Sequence, residues 1–140
     1  MSNYTTPASP RDEIQGYVYF IRLCNKVRLH ASGNLDPEFH ANLGAGLDLW
    51  TCQFLEVEYA DLKKVILDGA SDEDALAWCF ENGKKPQAHE LEWWSSYMRN
   101  RGFRDDLSET LKLRKEESGW EDRDDIQSFF DYLDADDGRL

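Results

Sequence analysis

No run of apolar residues in this chain approaches the roughly 20 that an α-helix needs to cross a bilayer, so it does not read as a membrane protein. Basic residues are scarce: 16 against 28 acidic ones, for a net charge of −12. That field repels polyanions and argues against nucleic acid and anionic membrane surfaces as partners. Cysteine is scarce too. Cys24, Cys52 and Cys79 are odd in number, far apart and set among apolar neighbours, which reads as buried, reduced thiols in a cytoplasmic protein. With the histidines they show no CxxC or HxxxH spacing, so neither a metal site nor a cofactor is expected. Also missing are a Gly-rich phosphate loop, a GxSxG motif, an internal repeat, and any alternation long enough to build a sheet. The opening residues lack the basic-then-apolar pattern of a secretory signal, so the glycosylation triplet Asn3-Tyr4-Thr5 carries no weight.

What is present is helical periodicity, clearest in residues 9–33. Ser9 and Pro10 suit a helix start, Asp12 and Glu13 favour its positive end, and Gly33 suits its stop. At about 100° per residue, Ile14, Tyr17, Val18, Phe20, Ile21, Cys24, Val27 and Ala31 fill a broad apolar arc, opposite Gln15, Arg22, Lys26 and His30. Asn25 and Arg28 fall inside the apolar arc. A buried arginine needs an anion beside it. Arg28 therefore either reaches the surface or pairs with an acid of this chain, or it lines a pocket with Asn25 for a carboxylate or phosphate.

Residues 1–8 read as a flexible tail, and 9–140 as one helical domain large enough to bury a core. A loop follows from Ser32 to Gly46, with one turn near Pro37 to His40; His40 and Asn42 there either face a pocket or are solvated, and solvation is the expectation. Asp48 caps a short helix to Leu55, and a further helix spans Tyr59 to Asp68. Ser71 and Asp74 have capping-box spacing before a helix closed by Gly83. Gln87 to Arg101 forms the next, with Trp94 inward and Trp93 open between core and partner surface. A charged helix covers Asp105 to Ser118, and the last begins at Asp124 and Asp125, with Ile126, Phe129, Phe130 and Leu133 as its inner face. The fold class is all-α, a single-domain bundle of five or six helices. The acids Asp131, Asp134, Asp136 and Asp137 oppose the dipole of that last helix. Pairing with Arg22, Lys26 or Arg28 would compensate them and bring the chain ends together. A calcium loop fails on register, because Gly138 at its sixth position puts Leu133 and Ala135 where ligands are required.

The chain resembles an uncharacterised bacterial family, a domain of unknown function, over nearly all of residues 9–139. The resemblance rests on Ser9-Pro10-Arg11, Lys26-Val27-Arg28-Leu29-His30-Ala31, Phe54-Leu55-Glu56-Val57-Glu58-Tyr59, residues 98–105 and residues 130–139. It implies an acid at the position of Asn25 in many members, so that any chemistry depending on that acid is lost here. No reaction comes with the family. Two functions remain. One is a non-catalytic binding or regulatory module for a protein partner, in which Arg28 pairs internally, with Asp134 or Asp136. The other is a binder or enzyme for a small anionic ligand, in which Asn25, Arg28, Lys26 and His30 supply the site. The wheel places Lys26 and His30 well away from Arg28, so one pocket would not readily use all three.

Overall fold

The expected first helix is interrupted by a hairpin. In the computed structural model, which describes residues 4–140, strands β1 (Glu13–Ile14) and β2 (Tyr17–Val18) pair antiparallel, with Ile14 opposite Tyr17. The two turn residues, Gln15 and Gly16, have φ of 50° and 87°. Positive φ at both positions is the geometry of the tight turn that matches strand twist, and glycine takes the second without strain. Helix α1 therefore runs only from Phe20 to Ala31, and Gly33 follows it at φ 77°.

Six more helices follow among the described residues: α2 (Leu47–Leu55), α3 (Tyr59–Leu67), α4 (Asp72–Asn82), α5 (Ala88–Asn100), α6 (Ser108–Glu117) and α7 (Phe129–Asp136). Seven helices and one hairpin replace the five or six expected. The long loop holds a 3-10 turn, Pro37–Asn42, opened by the Asp36 carboxylate, which accepts from the Glu38 amide at 2.9 Å. Ser71 accepts from the Asp74 amide as its spacing implied. The last helix starts later than expected. Ser128, not Asp124 or Asp125, accepts from the Asp131 amide and caps it.

The main core gathers Val18, Phe20, Leu23 and Val27 with Leu55, Leu62, Leu76, Met98 and Phe130. Trp94 belongs to it and stacks on Phe54 at 4.6 Å, whereas Trp93 is 68% exposed. A smaller cluster of Leu111, Ile126 and Ala135 joins α6 to α7, with Phe129 and Tyr132 against it. No helix is long and apolar enough to cross a membrane among the described residues.

The chain ends are tied together. Within the 1–8 segment, Thr5 N–H donates to the Asn34 carbonyl, and Ala8 N–H to Asn25 Oδ1 at 3.0 Å. Arg139 donates to the Pro7 carbonyl, and Arg11 pairs with Asp131 and Asp134. Asn3, of the glycosylation triplet, lies outside the described residues.

Candidate functional site

Arg22 and Lys26 point the same way from α1, as the wheel required, but that face is not open to water. Their side chains are 1% and 4% exposed. The segment before the hairpin, the chain end and α2 close over them. Arg22 donates to Asp137 at 2.7 Å and to the Ala8 carbonyl at 2.9 Å. Arg22 is thus the cation that compensates the acidic C-terminal end of α7 from across the fold.

Lys26 meets Asp48, which is wholly buried. Its Nζ lies 2.9 Å from Asp48 Oδ1 and 3.2 Å from the Tyr19 hydroxyl. Tyr19 donates to the same Oδ1 at 2.6 Å, and the Gly44 amide donates to Oδ2 at 3.0 Å. Asp48 therefore does not cap α2 as expected. It reaches back into the preceding turn and inward to α1, and Gly46 takes the cap position. Tyr19 occupies the left-handed region at φ 68°, where a bulky residue is strained, at the entry to α1. Its amide donates to Pro10 O and its carbonyl accepts from Leu23 N–H, so both sides of the strained residue are fixed.

Burial sets the electrostatics. It pushes the Tyr19 hydroxyl well above the usual tyrosine range, with the Asp48 charge adding to the rise. It pulls Lys26 below the usual lysine value, while Asp48 draws it partly back. Burial also pushes Tyr59 up, again with help from Asp48. Removing either charge of the Lys26–Asp48 pair would strand the other in a dry environment.

Tyr19, Lys26 and Arg22 border a cavity of about 310 Å³. It lies between the two apolar clusters. Leu47 and Trp50 of α2 form one wall, Leu107 and Thr110 lie on the α6 side, and Phe129, Tyr132 and Leu133 of α7 complete it. Among the described residues, the charged lining groups are Arg22, Lys26 and Arg114, and no acidic side chain lines the space. In a chain of net charge −12 that is a sharp local reversal. Asp48 and Asp137 neutralise two of the cations from behind, so the walls present donors with little surplus charge.

The residues singled out by sequence do not form one site. Arg28 pairs with Asp72 at 2.7 Å and donates to the Ala70 carbonyl at 3.1 Å; its partner is neither Asp134 nor Asp136. Asp134 accepts from Ser9 at 2.8 Å and faces Arg11, and Asp136 is exposed. Arg28 borders a shallower, open depression with Glu13, Asp72 and Glu73, where acids outnumber it. Asn25 fastens residue 8, and His30 is exposed with its ring 4.7 Å from that of His40. Of the four, Lys26 lies on the cavity, together with Asn42 of the long loop. Tyr19, Arg22 and Asp48 went unselected. The i, i+4 pair of cations on α1 was the available signal; the acids opposite them lie far away in sequence.

The family model for the domain of unknown function DUF5069 matches residues 4–139. The chain belongs to this family. The DUF5069 match takes in Tyr19, Arg22, Lys26, Asp48 and Asp137, so the whole cavity lies within the domain. Comparison with curated proteins found no match.

Proposed function

We propose that this DUF5069 chain binds a small monocarboxylate with an apolar body. The observation that carries this reading is the cavity whose charged lining is wholly basic, in a strongly acidic protein. Aromatic and aliphatic walls take the body, and the Lys26, Arg22 and Arg114 side provides donors for the head. A monocarboxylate suits it better than a phosphate dianion, because Asp48 and Asp137 already offset Lys26 and Arg22, and Glu117 lies 3.3 Å from Arg114. The size is at the small end of ligand pockets, about 300–1,000 Å³.

Titration calorimetry with 3-phenylpropionate and 3-phenylpropylamine tests the reading. Heat is expected from the acid and none from the amine. Thr110→Trp, which narrows the cavity, and Arg114→Gln should each weaken the acid about tenfold or more, roughly 1.4 kcal/mol. Equal responses to acid and amine would overturn the reading.

A protein partner has separate support. Trp93 and Tyr97, 68% and 48% exposed, lie one turn apart on α5. Trp93→Ser should leave the heat of 3-phenylpropionate unchanged if that surface is independent of the cavity.

A further inference from the structure

We propose that Lys26 forms an imine with a carbonyl-bearing ligand in this cavity, specifically a 2-oxo acid with an apolar side chain. The inference rests on the ligand-binding reading above and names the ligand class.

Four observations support it. Lys26 Nζ has three N–H groups; Asp48 and Tyr19 take two, and the third has no protein acceptor among the described residues while the side chain borders the cavity. A proton acceptor is already in place, with Asp48 Oδ1 2.9 Å from the amine. A relay is in place as well, because the Tyr19 hydroxyl lies 2.6 Å from that oxygen and 3.2 Å from Nζ. The strained backbone of Tyr19 fits a residue held for such a position. A lysine kept only for stability would be replaceable, with Asp48, by apolar side chains, since buried pairs rarely stabilise more than good packing does.

The step balances without any redox partner. Lys26 passes one proton to Asp48, and the free amine attacks the ligand carbonyl carbon. The carbonyl π electrons move to oxygen, which takes a proton from Asp48. The nitrogen then returns a proton to Asp48. Tyr19 relays that proton to the carbinolamine hydroxyl, which leaves as water while the nitrogen lone pair closes the C=N bond. Overall, ammonium and carbonyl give iminium and water, with no net proton. The positive charge beside Asp48 is kept, so the buried pair survives the reaction. Arg22 and Arg114 border the same space, and each guanidinium has N–H groups beyond those given to Ala8, Asp137 and Glu117 to offer the ligand carboxylate.

The test is borohydride trapping of the full chain with phenylpyruvate, read by intact mass and peptide mapping. One adduct is expected, equal to the ligand less one oxygen, on Lys26 and suppressed by excess 3-phenylpropionate. Lys26→Arg keeps a cation opposite Asp48; with its fold confirmed by circular dichroism, it should lose that adduct. Tyr19→Phe should slow trapping about tenfold or more while remaining folded. Labelling spread over surface lysines alike in the parent and in Lys26→Arg would overturn the imine. If the parent still bound 3-phenylpropionate in that case, the binding reading would stand; if it did not, both would fall.

Discussion

Arg22 and Arg28 lie on one helix and make very different contributions to stability. Arg22 and Asp137 are almost fully buried, at 1% and 3%, whereas Arg28 and Asp72 are 36% and 26% exposed. Removing one partner of a buried pair costs about 3–5 kcal/mol, while a solvated pair contributes about 0–1 kcal/mol. Urea denaturation should therefore find Arg22→Met strongly destabilised and Arg28→Met nearly unchanged; comparable losses would contradict this ranking. Sequence periodicity gave the direction of each side chain but not what covers it, so Arg28 stood out as the misplaced charge, while Arg22 and Lys26 fell on the polar face and were expected to be buried only if the C-terminal acids reached them. The thiols carry a pH signature. Burial raises Cys52 and Cys79 from 9.0 to about 12, and pushes Cys24 up further. The folded chain keeps protons that the unfolded chain gives up, so this contribution is complete below pH 9 and is lost between 9 and about 12. The thermal midpoint should fall with rising pH across that window, and a disulfide reagent at about pH 8 should label the thiols only after unfolding.

At the scale of elements, the legible parts were those with punctuation. The α3 and α4 ends and the Ser71 cap follow directly from Gly69, Ser71, Asp74 and Gly83. The failures came from patterns that serve two structures. Ile14, Tyr17 and Val18 fit a helical arc, yet two-residue strands are too short to show alternation, and Gln15 is not the Asn or Asp that usually announces such a turn. Ile126 likewise fits the i, i+3, i+4, i+7 series of α7. It sits in the preceding turn, where Gln127 N–H donates to Asp131 and Ser128 stops the helix from extending back. Ser128→Ala should cost about 1 kcal/mol through the lost cap. Gly83→Ala should cost more, because a Cβ there would meet the Leu55 carbonyl oxygen at 2.1 Å, a backbone atom that cannot step aside. Denaturant midpoints of the two variants check the order; a harmless Gly83→Ala would mean that the α2–α4 junction is looser than described.

The whole molecule joins its ends over the polar side of its first helix. The excess of acid at the end of α7 signalled such a closure, and Arg22, among the partners considered for it, is the one that meets Asp137. The same closure buries Lys26 and leaves a basic-lined cavity between the main core and the α6–α7 cluster. Nothing local in the sequence marks this cavity, because its walls come from α1, the long loop, α2, α6 and α7. The decisive measurement is a backbone amide NMR titration of the parent with 3-phenylpropionate. Saturable shifts concentrated in residues 42–50, 107–114 and 129–133 are expected, since those segments contribute to the cavity lining. No saturable shifts, or shifts confined to α5 around Trp93 and Tyr97, would contradict the proposal that the basic-lined cavity is a ligand site.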